Sequence, residues 1–245
     1  MKTKIFAANW KLNKTPAESK SFFETLLTKV NADFFKSRQM IFFPQNFSLD
    51  VTSQVLKSSK IGFGPQNIYF EKSGAFTGEN SAEVAKKMNC QYILLGHSER
   101  RQFFSETHEA LSKKIKAVQD LDLTAVFCIG ETLTQREEGK SGLICAEQLT
   151  EGLKLADKKK HLIVAYEPVW AIGTGKIATM VQVKEAHEMI HNFLASHLFA
   201  DYHILYGGSV KPDNAKELLD IPYVDGFLVG GASLEVDSFL KICQP

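Results

Sequence analysis

Eight short apolar runs, most of them separated by longer amphipathic stretches, constrain what this chain can fold into more than any other feature. They are Ile5–Ala8, Met40–Phe43, Ile61–Phe63, Tyr92–Leu95, Leu123–Ile129, Leu162–Ala165, His203–Tyr206 and Gly226–Val229. Runs rich in Ile, Phe, Val and Leu, without strict polar alternation, read as strands buried on both faces, as in a parallel sheet covered by helices. Between most of them lie segments of helical periodicity: Ala17–Val30, Ser81–Met88, Thr107–Asp120, Thr132–Asp157, Thr179–Leu198, Pro212–Leu219 and Leu234–Ile242. Eight strands alternating with helices, with no composition break and no low-complexity linker, predict one α/β domain over residues 1–245. A single (β/α)8 barrel fits better than an open doubly wound sheet, which more often has five or six strands. A chain of 245 residues with 44% hydrophobic composition can bury one such core.

In barrels of this kind the chemistry gathers where strands end and the following loops begin. The stretch Ala165–Lys176 places Glu167 at the end of an apolar run, and Pro168 then removes a backbone donor and stops the ladder. Beyond it Ala171, Gly173 and Gly175 offer little bulk and accessible amides, while Pro168 and Trp170 stiffen the entry. On its own this is the composition of a lid hinged at both ends, or of a solvated strand-end carboxylate followed by an ordinary glycine turn; taken with the other strand-end motifs and the family resemblance they carry, Pro168–Lys176 is expected to move as a unit when a phosphate binds. At the first strand end, Asn9 and Lys11 would share a face if the extended conformation persists to Lys11. The fourth run ends in Gly96-His97-Ser98-Glu99-Arg100-Arg101, and a helical turn starting at Ser98 would favour a neutral His97. Glycine pairs follow the last two runs, in Tyr206-Gly207-Gly208-Ser209-Val210 and Leu228-Val229-Gly230-Gly231-Ala232-Ser233, as a barrel phosphate site requires.

Lys and Arg number 29 against 28 Asp and Glu, a formal net charge of +1, so the balance gives no reason to expect nucleic acid or an anionic membrane surface as a partner. The first apolar run is too short for a signal-peptide core and no run is long enough to span a bilayer, which leads to the expectation of a soluble cytoplasmic protein. Cys90, Cys128, Cys145 and Cys243 show no metal-ligand spacing. His187-Glu188-Met189-Ile190-His191 is a literal HExxH with His197 beyond it. Leu194 stands where the extended zinc motif needs a helix-breaking glycine, and the helical wheel assigns Val183, Ala186, Ile190 and Phe193 to the buried face, so the motif reads as helix surface. Gly96-His97-Ser98 and Gly207-Gly208-Ser209 lack the last glycine of a nucleophile elbow, and Trp170 stands where a P-loop would begin.

Taken together, the sequence closely resembles the triosephosphate isomerase family over nearly its whole length. The resemblance is carried by Asn9-Trp10-Lys11, Gln66-Asn67, Gly74-Ala75-Phe76-Thr77-Gly78-Glu79, Gly96 to Arg101, Cys128-Ile129-Gly130-Glu131-Thr132, Ala165 to Lys176 and the two glycine-pair motifs. It implies interconversion of two triose phosphates through an enediolate, with neither metal nor organic cofactor. By resemblance Glu167 is the base, His97 the neutral electrophile, Lys11 and Asn9 stabilise charge on the substrate oxygens, and Glu99 supports them. Gly173, Ser209, Gly230 and Gly231 would hold the phosphate with backbone amides, and Lys11 would supply the only obvious charge. The resemblance also implies a homodimer, in which Thr77 reaches the partner's site. The aromatic-rich segment Gln66–Asn80, with Tyr69, Phe70 and Phe76, would be hard for a monomer to bury. Departures from the family pattern include Ala8, Leu12, Pro65 and Asn80, the last two bracketing that segment.

Overall fold

The computed structural model describes residues 2–171 and 177–245. Eight strands form in the expected places: β1 (Lys4–Asn9), β2 (Arg38–Phe43), β3 (Gly62–Phe63), β4 (Tyr92–Leu95), β5 (Thr124–Ile129), β6 (Leu162–Tyr166), β7 (Tyr202–Tyr206) and β8 (Gly226–Val229). Their order is β3-β2-β1-β8-β7-β6-β5-β4, and all adjacent pairs are parallel. Across the remaining seam, Gln91 N donates to Phe63 O at 3.1 Å and Leu94 N to Pro65 O at 3.1 Å, which brings the two ends of the sheet together. The fold is a (β/α)8 barrel.

Both faces of the strands are buried, which explains the unbroken apolar runs. Alternate residues fill the barrel interior, among them Ile5, Ile41, Phe43, Val126, Ile163 and Leu205. The intervening residues, such as Phe6, Phe42, Phe127 and Phe227, pack outward against the helical layer. The helices start where local chemistry tells them to. Pro16–Lys29 opens with Pro in its first turn and a reciprocal capping box between Thr15 and Glu18. Met180–Ser196 opens with the same device between Thr179 and Gln182.

Two expectations about helices change. Thr132–Asp157 is not one helical segment but two, Leu133–Glu137 and Ser141–Gly152, because Gly139 adopts φ 70° and breaks the helix between them. In Met180–Ser196 the buried stripe is Val183, His187, Ile190 and Leu194, whereas Ala186 and Phe193 are only partly buried. The wheel failed because it treated histidine as polar surface. His187 is fully buried, and its Nδ1 bonds Tyr223 O at 3.0 Å.

Candidate active site

Glu167 follows the last residue of β6, and backbone bonds on both sides fix it there. Its own N donates to Ile129 O at 2.7 Å, and Gly207 N donates to Tyr166 O at 2.7 Å. The strand ends approach so closely that a Cβ on Gly130 would lie 1.7 Å from Glu167 O, so no other residue fits without displacing the carboxylate's backbone. The side chain is buried, with Oε1 2.9 Å from His97 Nε2 and Oε2 accepting from Ser98 N at 3.0 Å. Burial pushes the carboxyl group's pKa up, but His97, the Ser98 amide and Lys11 outweigh it and hold Glu167 below the ordinary carboxylate range.

His97 caps the helix Ser98–Phe103, where its Nδ1 accepts from Glu99 N at 3.2 Å. A nitrogen that accepts carries no proton, so the hydrogen bonds assign the neutral tautomer with the proton on Nε2, directed at Glu167. Burial lowers the basicity of the ring; the carboxylates of Glu167 and Glu99 raise it by more, so His97 in the resting pair is more basic than an ordinary histidine. A ligand that displaces Glu167 from Nε2 removes the largest upward contribution, leaving burial and the helix N-terminus to keep the ring neutral.

Lys11 reaches this group by a different route from the one expected. The extended conformation stops at Asn9, and Lys11 sits at φ 53°, with its N donating to Asn9 Oδ1 at 3.1 Å. Gln66 holds the turn, its Nε2 donating to Lys11 O at 2.8 Å and Phe43 O at 3.0 Å. The result still brings Lys11 Nζ to 2.6 Å from Glu99 Oε1. Glu167, His97, Glu99 and Lys11 thus form one continuous polar chain drawn from the ends of β6, β4 and β1.

Asn9, Lys11, His97 and Glu167 line a cavity of ≈ 270 Å³ together with Ser209, Gly230 and Gly231, all at the C-terminal mouth of the barrel. Gly173, the remaining candidate, lies outside the described residues. Lys11 is not the only cation in this cavity, because Lys211 also lines it. The sequence contained that signal, a lysine directly after the first glycine-pair motif.

A second missed residue is Glu131, which is fully buried just beyond β5. Its Oε1 accepts from Tyr166 Oη at 3.1 Å, Trp170 Nε1 at 2.9 Å and Arg136 Nη1 at 2.9 Å, while its carbonyl accepts from Val169 N at 3.1 Å. It therefore anchors the chain on both sides of Pro168. A carboxylate directly after a buried strand was the available sequence clue.

The HExxH residues do not assemble a zinc centre. His187 faces the Tyr166 and Tyr206 rings, whereas His191 stacks on Tyr223 at 3.9 Å and bonds Tyr202 Oη at 2.9 Å. In the segment Gln66–Asn80, Tyr69 stacks on Phe70 at 4.2 Å and meets Phe76 at 4.6 Å, so the three rings partly cover one another within the subunit. Phe76 remains 39% exposed, and Thr77 beside it is exposed.

A carboxylate, an imidazole and a lysine gathered beside two glycine pairs at the C-terminal mouth define a (β/α)8-barrel enzyme built for acid–base chemistry on an anionic ligand. The chain matches the triosephosphate isomerase family over residues 4–245. It is 52% identical over 244 residues to the triosephosphate isomerase of Bdellovibrio bacteriovorus, covering 98% of this chain and 99% of the relative. It is 44% identical over 252 residues to that of Leptospira biflexa and 41% identical over 250 residues to that of Dictyoglomus turgidum, each over the full length of both proteins. The chain belongs to the triosephosphate isomerase family, and it is an isomerase.

Proposed function

We propose that this enzyme, a single domain over residues 1–245, interconverts dihydroxyacetone phosphate and D-glyceraldehyde 3-phosphate, and that Glu167 and His97 perform the proton transfers with Lys11, Asn9 and Glu99 in support. The ionised Glu167 removes a proton from the carbon next to the carbonyl. That C–H electron pair becomes the enediolate double bond, and the carbonyl π pair moves onto oxygen. His97 Nε2–H, Lys11 and Asn9 stabilise the developing oxyanion. Glu167 returns its proton to the adjacent carbon, and the hydroxyl proton passes between oxygens by way of His97, so no electrons enter or leave. Glu99 holds Lys11 in place and faces His97 Nδ1 at 3.5 Å.

The dianionic phosphate is assigned to Gly173, Ser209, Gly230 and Gly231, whose amides need no side-chain charge, with Lys11 and Lys211 supplying positive potential. Closure of Pro168–Lys176 over the phosphate would exclude water from the enediolate. A homodimer, with Thr77 completing the partner's site, fits the exposure of Phe76 and Thr77. No helix among the described residues is long and apolar enough to cross a membrane, consistent with a cytoplasmic location.

The observation that carries this reading is the contact of Glu167 with His97 at 2.9 Å, a base and an electrophile at one cavity wall. The test is a coupled isomerase assay of purified Glu167→Gln beside the unmodified enzyme. Loss of the general base should lower kcat by about 10²–10⁴-fold; near-equal rates would remove the mechanism. Sedimentation at micromolar concentration should give about twice the chain mass, and a stable, fully active monomer would refute the dimer. Identical positions of the lid with and without a phosphate ligand would refute its closure.

A further inference from the structure

The end of the barrel opposite the cavity carries a second cluster of chemistry-bearing side chains. The register pairs Leu162 with Tyr202 and Ile163 with His203, so His161 stands opposite Asp201, and His161, Asp201 and His203 share one face of the sheet. That face is the barrel interior, because Ile163 and Leu205, each two residues further along its strand, belong to the interior core. His161 Nε2 and His203 Nδ1 lie 2.9 Å apart with their rings nearly perpendicular, and one ligand atom from each of His161, His203 and Asp201 lies within 4.8 Å of the other two. Five residues of β6 separate this floor from Glu167, roughly 15 Å along the strand.

We propose that His161 through Nε2, His203 through Nδ1 and Asp201 through one carboxylate oxygen form a site for a single divalent transition-metal ion of the zinc type, with the fourth position left to water. Two imidazoles and a carboxylate suit borderline ions such as Zn²⁺ rather than Mg²⁺ or Ca²⁺, which favour all-oxygen shells. Ligand bonds of about 2.0–2.2 Å place tetrahedral donor atoms about 3.3–3.5 Å apart. The two nitrogens must therefore open by about 0.4 Å, and the exposed Asp201 side chain must swing inward. Burial keeps both rings neutral near pH 7, with His203 pushed down to about 4 and His161 also lowered. Each neutral ring has one proton: the ring that donates across the 2.9 Å contact shifts its proton to its far nitrogen on binding, and the other ring already holds its proton there, so no net proton is released. Lys2 is the nearby opposing charge. Its ammonium is 2.9 Å from Asp225, and Asp201 adds a further negative charge at the site.

The site is independent of the isomerase reaction, and so is its test. The chelator-stripped enzyme is titrated with Zn²⁺ against a competing chromophoric chelator, and with Co²⁺ to read the visible band of a tetrahedral complex. The unmodified protein should bind one ion per chain, and at 100 times the dissociation constant its Tm should rise by about 5–10 °C. His161→Asn and His203→Asn should each weaken binding by at least 100-fold and abolish the cobalt band. Asp201→Asn, a surface change expected to fold normally, should weaken binding by about 10-fold, the lower range for lost metal partners. Isomerase activity should be the same with and without the ion. Wild-type binding no tighter than that of the His161→Asn/His203→Asn double variant would overturn the proposal, as would retention of full affinity in Asp201→Asn with no change in the cobalt spectrum.

Discussion

Replacing Glu131 tests whether the support of the strand end that carries Glu167 is electrostatic. The carboxylate is wholly buried and accepts from Tyr166 Oη, Trp170 Nε1 and Arg136 Nη1 at 3.1, 2.9 and 2.9 Å. Glu131→Ala deprives Tyr166 Oη and Trp170 Nε1 of this acceptor, at about 1–3 kcal/mol each. Arg136 costs less, since its side chain is 20% exposed and a neighbouring cavity of ≈ 310 Å³ can admit water to it. The sum is about 3–5 kcal/mol, which for a chain of this size corresponds to a fall of about 10 °C in Tm. Glu131→Gln keeps the shape and one acceptor oxygen but loses the charge, and should cost about 1–2 kcal/mol. Denaturant unfolding of the three proteins gives the stabilities, and the coupled assay gives the kinetics. Because Trp170 lies near the start of the predicted lid, Glu131→Ala should also raise KM for the phosphorylated substrate. A Tm within 2 °C of the parent, with unchanged KM, would refute the anchoring role.

Other perturbations separate the remaining parts of the site. His97→Gln removes the main downward influence on Glu167 while burial remains, so the acid limb of kcat/KM should move to higher pH; an unmoved limb would dissociate the two groups. Glu167 is held below its ordinary range, so its stabilising contribution is full above that range and is lost as pH falls through its lowered value. Glu167→Gln should therefore lose less stability on acidification than the parent, as read from denaturant midpoints. Lys211→Ala should raise KM about 3–10-fold at low salt, with the difference shrinking as salt screens the charge; a salt-independent effect would point to a contact rather than a field.

The eight strands were legible because burial on both faces leaves an unbroken apolar run, and no solvent-facing alternation obscured it. The positions of Glu167 and His97 were legible because each stands two residues past the end of such a run. What sequence reasoning could not see depends on single backbone conformations or on burial of polar groups. Gly139 looked like any glycine until its φ of 70° divided the predicted helix. Lys11 was placed by assuming a longer strand, yet a left-handed turn held by Gln66 delivers it. His187 was assigned to the surface because polarity stood in for exposure, although one carbonyl partner helps it lie in the core. Glu131 went unassigned because its four side-chain donors come from residues 136, 145, 166 and 170, a convergence created by the fold.

The 2.9 Å contact between His97 and Glu167 also bears on inhibition. Each of the two groups fills the other's binding capacity, so any ligand of either must compete with its neighbour. A molecule that only offers an acceptor to Nε2–H leaves the carboxylate stranded in a dry wall, and one that only donates to the carboxylate strands the imidazole. Effective inhibitors should be bifunctional at adjacent atoms, an oxyanion next to a hydrogen donor, with an anionic tail for the far side of the cavity. Compounds lacking either head-group element should bind far more weakly than their contact area suggests.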